Sequence, residues 1–171
     1  MAGRVCKASV SAEAQKTEKL GTATGFTTDN ICWASGLVLK SGKHYRITLT
    51  MTEDWKDGNK STTMSGFASD TFTLLIGIPW RRWWTQNWFK PIAQIGAVGN
   101  EEYVLNPLDA VSTVASGDER TLVGEIVART DGELFIYVND AVAMIPRWID
   151  YFYKHNNHGG ASIKVEPRRW N

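Results

Sequence analysis

The chain has 171 residues, 43% hydrophobic and 22% charged, the make-up of one ordinary globular domain long enough to bury a core. Nineteen basic residues against eighteen acidic ones leave a formal charge of +1, too small an excess for binding driven by phosphate contacts, so no nucleic-acid partner is expected. The longest apolar run, Phe72 to Trp80, falls well short of the roughly 20 residues a helix needs to cross a bilayer.

The opening Met1-Ala2-Gly3-Arg4 runs into polar sequence, so no signal peptide is expected there. Residues 1–30 are small and polar and read as an irregular lead-in or an edge strand, ahead of a single β-sandwich domain over 31–171. The two cysteines, Cys6 and Cys32, are compatible with one disulfide, which would point to a periplasmic or extracellular home, and equally with two unrelated thiols.

Gly36 to Lys40 reads as a strand, and Ser41-Gly42 after it as a hairpin turn. Tyr45, Ile47, Leu49 and Met51 then alternate with Arg46, Thr48 and Thr50, the period-2 pattern of a half-buried strand. Residues 53–70 carry turn chemistry and read as a loop. The segment from Pro79 to Phe89 holds four of the eight tryptophans. Pro91 to Gly96 and Tyr103 to Leu105 read as strands. Leu122, Gly124, Ile126 and Ala128 alternate with Val123 and Val127, Asp131-Gly132 makes a tight turn, and Leu134, Ile136 and Val138 alternate with Phe135 and Tyr137. Ile145, Trp148, Ile149 and Phe152 follow helical spacing, so a short amphipathic helix is expected over 146–155. Asn156 to Gly160 ends it, and Ala161, Ile163 and Val165 form a last strand. Short strands with turns between them predict a mostly-β sandwich with one or two short inserted helices.

Three stretches carry a resemblance: Phe89 to Gly96, Asp131 to Asp140, and Asn156 to Val165. Together they resemble the galactose-binding-domain-like jelly rolls, and within these the calcium-dependent bacterial galactophilic lectins, where a strand ending in Asn-Asp is followed by an Asn-Asn turn and a last strand. Leu39 to Tyr45 is similar to the early hairpin of that family. The resemblance implies a jelly-roll-like sandwich, a glycan as ligand and calcium as cofactor. A second resemblance rests on Trp88 to Gly96, Tyr137 to Val142 and Asp150 to Asn157. It is to C-terminal accessory regions of bacterial type VI phospholipase-effector-like α/β-hydrolase proteins. It implies a module that docks to a membrane or partner, with the hydrolase upstream of it. On either resemblance the chain works in the periplasm, outside the cell, or as a delivered effector.

Asp140, Asn156 and Asn157 form the metal candidate, because calcium takes carboxylate, amide and backbone oxygens. The competing reading is that strand-end Asn and Asp residues simply satisfy backbone groups. Trp55, beside Glu53, Asp54 and Asp57, joins Asp140, Asn156, Asn157 and His158 as a candidate ligand-binding residue, against the reading of a buried loop anchor. His155 and His158 are spaced for two zinc ligands, but no third ligand is apparent. Trp80, Arg81, Arg82, Trp83, Trp84 and Trp88 have three readings: rings that stack on sugar faces, an interfacial docking element whose arginines pair with anionic lipid headgroups, or core packing along one helical stripe. Catalytic residues are not expected. There is no Gly-x-Ser-x-Gly elbow, no phosphate loop and no zinc motif, and Glu101-Glu102 and Asp118-Glu119 read as solvated turns.

Overall fold

The alternation from Tyr45 to Met51 buries one face of a strand, β3 (His44–Met51), and leaves the other at the surface. The computed structural model describes residues 6–68, 80–97, 101–106, 120–142 and 150–168. In it β3 lies in an antiparallel sheet with β1 (Gly21–Thr27), β11 (Gly160–Pro167) and β8 (Thr121–Val127), in the order β1-β11-β3-β8. A second four-stranded antiparallel sheet has the order β2-β9-β6-β7, built from β2 (Trp33–Leu39), β9 (Gly132–Val138), β6 (Pro91–Ile95) and β7 (Glu102–Val104). The two sheets pack face to face as a jelly-roll-like β-sandwich.

The core follows from the period of two. Ile47, Leu49, Ile163, Val165, Leu122 and Ile126 from the first sheet meet Leu37, Leu39, Leu134, Ile136, Val138, Ala93 and Ile95 from the second. The second sheet is covered on its outer face too. There Phe135, Tyr137 and Ile92 form a smaller apolar cluster with Cys6 and Cys32. All seven residues of β9 are therefore buried, although its two faces serve different clusters.

Cys6 and Cys32 form a disulfide with a Cα–Cα distance of 5.1 Å. It ties the lead-in to the start of β2. Glu133, fully buried, holds the same segment: its carboxylate accepts the backbone N–H of Ser9 at 2.8 Å, of Val10 at 3.3 Å and of Gly36 at 2.8 Å. Within the lead-in, Ala14–Lys16 form a 3-10 turn, and 21–27 form the edge strand β1, paired to β11.

Four readings are corrected. Ser41-Gly42 does not close a hairpin, since β2 pairs with β9 while β3 pairs with β11 and β8. Asp131-Gly132 likewise carries the chain from one sheet to the other. Two strands that bury a face in the same core alternate in the same way whether they pair or oppose each other, so turn chemistry alone does not choose. The 53–70 loop contains a small hairpin, β4 (Trp55–Asp57) with β5 (Lys60–Thr62), extended by β10 (Asn157–His158) into a three-stranded sheet. The described helix, α1 (Tyr151–Asn156), buries Tyr153, with Phe152 only half-buried. The Tyr153 hydroxyl donates to Val138 O at 2.7 Å and pins the helix to the end of β9. The readings at 72–79, at 143–149 and at Asp118-Glu119 lie outside the described residues.

Candidate functional site

Antiparallel pairing puts several strand ends at one end of the sandwich. Thr27 pairs with Gly160, Ala161 with Met51, and Trp33 with Ile136, so β1, β3 and β9 finish where β2 and β11 begin. The chain leaves β9 through Asn139-Asp140 and returns through α1 and β10. Here Asn157 lies opposite Asp57 of β4. This register adds a second carboxylate to the metal candidate, whose two parts, sixteen residues apart in sequence, meet through the side chains of Asn157 and Asp140.

The side chains interlock. Asn157 Nδ2 donates to Asp140 Oδ2 at 2.8 Å and to Thr28 O at 3.2 Å. Asn156 Nδ2 donates to Asp57 Oδ1. Asp140 Oδ1 accepts the N–H of Ala141 at 2.6 Å. Asp140 and Asn157 are almost fully buried, while Asp57 and Asn156 are half-buried and form the outer rim. Gly159 makes the return turn possible. At φ +121° it adopts a backbone that side chains avoid, and a Cβ there would sit 2.5 Å from Trp55 Cδ1.

Burial raises both acids. Burial, followed by the charge of Asp57, pushes the Asp140 carboxyl up to about 7. Burial also raises Asp57, against the lowering effects of its Asn156 hydrogen bond and of Lys60. Meanwhile three buried oxygens at the cluster, Asn156 Oδ1, Asn157 Oδ1 and Thr28 Oγ1, have no hydrogen-bond partner among the described residues. Native proteins rarely leave such atoms unpaired without a reason. The donors are all oxygen, from two carboxylates, two carboxamides, a hydroxyl and nearby carbonyls. That is the set a hard cation such as calcium takes, with about six to eight oxygens. Among the described residues no group of three or more His, Cys, Asp and Glu comes together, so the zinc reading gains no third ligand. His158 is exposed on β10, and the His155 ring stacks on Tyr151 at 4.1 Å.

Trp55 is fully buried. Its ring packs edge-on to Phe26 at 6.1 Å, and its Nε1 donates to Gly160 O at 3.0 Å, so it anchors the loop beneath the cluster and offers no face to a ligand.

The tryptophan segment is not a helix, and its rings do not share one stripe. Apart from short bridges, residues 80–90 are irregular. Their organiser is Asn139, fully buried, whose Nδ2 donates to Trp83 O at 3.0 Å, Gln86 O at 3.2 Å and Asn87 O at 2.9 Å, and whose Oδ1 accepts the Trp83 N–H at 2.9 Å. A buried carboxamide that saturates a loop in this way over-rides helical spacing. Trp88 is buried and Trp83 is half-buried, with its Nε1 donating to Glu102 at 2.9 Å. Both arginines turn inward. Arg81 is 7% exposed, with its guanidinium over the Trp88 ring. The Arg82 side chain is 1% exposed, 3.3 Å above the Tyr137 ring and 3.7 Å from Glu102. Glu102 is thus an internal acceptor, not a solvated turn. Of the six residues of this segment singled out in the sequence, only Trp80, at 42%, and Trp84, at 64%, are exposed.

Sequence reasoning did not place Asp57, Thr28 or Asn139 in these roles. Asp57 was visible as one of three acids around Trp55, but only the β4–β10 register selects it. Thr28 carried no signal at all.

No protein-family model matches the chain, and no curated protein matches it in sequence. Among solved structures, the chain is similar to one described as "EclA N-terminal domain; PllA-like lectin", with a TM-score of 0.48 and 17% identity, over 88% of this chain and 96% of that one.

Proposed function

We propose that this chain is a non-catalytic carbohydrate-binding module in which Asp57, Asp140, Asn156 and Asn157, with Thr28 beside them, hold a calcium ion at one end of the sandwich. The observation that carries this is a cluster at one strand end in which two carboxylates are bound by two carboxamides and three buried oxygens, Asn156 Oδ1, Asn157 Oδ1 and Thr28 Oγ1, have no partner among the described residues. A cation there would neutralise the acid pair, give the lone oxygens a partner, and offer its remaining coordination positions to paired sugar hydroxyls. A half-turn of either carboxamide exchanges its NH2 for its oxygen, so Asn156 and Asn157 suit both the metal-free hydrogen bonds and ligation. Asp140 and Asn157 orient the site from within. Asp57 and Asn156, on the rim, can accept from and donate to hydroxyls directly.

The alternative is a docking module of a larger bacterial hydrolase protein. It keeps the exposed Trp80 and Trp84 but loses its headgroup partners, because Arg81 and Arg82 face inward.

Calorimetric titration with calcium chloride, beside a glycan array run with calcium and with EDTA, tests the proposal. Saturable calcium binding is expected, together with array signals that vanish in EDTA. Asp57→Asn should weaken calcium binding at least roughly tenfold, since it removes one of two carboxylates. Flat responses to both calcium and sugars would sink the proposal.

A further inference from the structure

Of the three exposed aromatic rings among the described residues, Trp80 and Tyr151 meet on Phe152, and Trp84 stands apart. Trp80, 42% exposed, lies nearly parallel to Phe152, with ring centroids 6.3 Å apart and an interplanar angle of 24°. Phe152 meets Tyr151 edge-on at 5.6 Å, and Tyr151 is 41% exposed and backed by His155. The result is a short run of rings on one side of α1.

The same two elements that carry the polar cluster carry this run. Trp80 O accepts the N–H of Val142 at 2.9 Å, and Arg82 N donates to Asp140 O at 3.2 Å, so the Trp80 backbone is paired to the residues directly after Asp140. On the other side, Phe152 stands one helical turn before Asn156 on the same helix face. Phe152, with the Trp80 ring stacked on it, therefore stands one helical turn from Asn156, and Tyr151 lies on the neighbouring face of the helix.

Chemistry decides what they would take. An interfacial membrane anchor needs rings that plunge into the acyl boundary and cations that meet headgroups. Here Trp80 lies against Phe152, and both neighbouring arginines are sealed inside, one 7% exposed and the other 1% at its side chain. Flat, half-exposed rings next to a hydroxyl-binding cluster suit instead the C–H face of a second pyranose.

We infer that Trp80, braced by Phe152 and with Tyr151 standing edge-on beside that brace, forms a stacking subsite for the sugar residue adjoining the one held at the Asp57–Asp140 cluster, so that the module selects oligosaccharides over monosaccharides. This rests on the carbohydrate-binding reading and deepens it by naming the size of ligand and the residues that set it.

The test uses methyl hexopyranosides and the corresponding disaccharides, titrated calorimetrically in calcium into the wild-type chain, Trp80→Ala, Tyr151→Ala, Trp80→Phe, Trp84→Ala and Asp57→Asn. The wild type should bind its preferred disaccharide roughly tenfold more tightly than the monosaccharide, the size of gain expected of an aromatic stack. Trp80→Ala should erase that gain and leave monosaccharide affinity unchanged. Trp80→Phe should restore most of it, and Trp84→Ala, outside the stack, should do nothing. Should Asp57→Asn weaken binding of both ligands while Trp80→Ala and Tyr151→Ala bind both like wild type, the subsite is overturned and the parent reading survives. Absence of binding to any sugar overturns both. Co-sedimentation with phosphatidylcholine–phosphatidylserine vesicles that is lost in both Trp80→Ala and Trp84→Ala would instead assign the rings to a lipid surface and overturn the subsite.

Discussion

Replacing Asp140 by Asn removes a charge that the fold has to bury. Asp140 is 3% exposed, and its carboxyl is pushed up to about 7, first by burial and then by the charge of Asp57. An unfolded chain ionises such a group near ~3.9. Between these values the folded protein keeps a proton that the unfolded chain has lost. Stability in calcium-free buffer therefore falls as pH rises from about 4 to about 7 and is lowest above that window. Roughly three pH units at about 1.36 kcal/mol each put the penalty on the order of 4 kcal/mol at pH 8. Asn escapes it but has only one oxygen for the two donors, Ala141 N–H and Asn157 Nδ2. That loss is worth about 1–3 kcal/mol. Urea denaturation in EDTA should thus find Asp140→Asn more stable than wild type by about 1–3 kcal/mol at pH 8 and less stable at pH 4. Calcium should raise the wild-type midpoint at pH 8 and leave that of the variant unmoved. Equal destabilisation at both pH values would refute the buried-charge argument.

The disulfide closes a sequence separation of 26 residues, so Cys6→Ser/Cys32→Ser should cost about 3 kcal/mol in urea denaturation, and reduction of the wild type should cost the same. A loss under about 1 kcal/mol would mean that the lead-in is held by its other contacts. Glu133→Ala would strand the N–H groups of Ser9, Val10 and Gly36, costing about 2–4 kcal/mol. Hydrogen exchange should accelerate over 7–20 before it does in β3, and uniform acceleration would argue against a local clamp.

The strands were legible because each buries alternate residues, a signal carried by a few consecutive positions. Tyr45 to Met51, Leu122 to Ala128 and Ala161 to Val165 all turn the expected side chains inward. Partner choice was not legible. The same alternation serves a hairpin and a sandwich, and Ser41-Gly42 joins strands of opposite sheets. The tryptophan stripe failed for a related reason. Its helical spacing was present, but Asn139, some fifty residues away, takes four backbone hydrogen bonds from or to the segment and holds it irregular.

The candidate site divides along the same line. Asp140, Asn156 and Asn157 stood out in the sequence as polar residues at strand ends, where a buried strand has to stop. With one carboxylate they made an incomplete cation site. Asp57 joins them only because β10 pairs with β4 and sets Asn157 opposite it, and Thr28 only because β1 ends beside them. Trp55, the aromatic residue nearest that acid in sequence, proved to be a floor beneath the site, while Trp80, sixty residues before Asp140, is paired through its backbone to the residues just after it. By itself the sequence determined which faces are buried, because burial follows side-chain chemistry at a fixed backbone period. Which polar groups share a site was decided by strand register, a property of contacts between segments far apart in the chain.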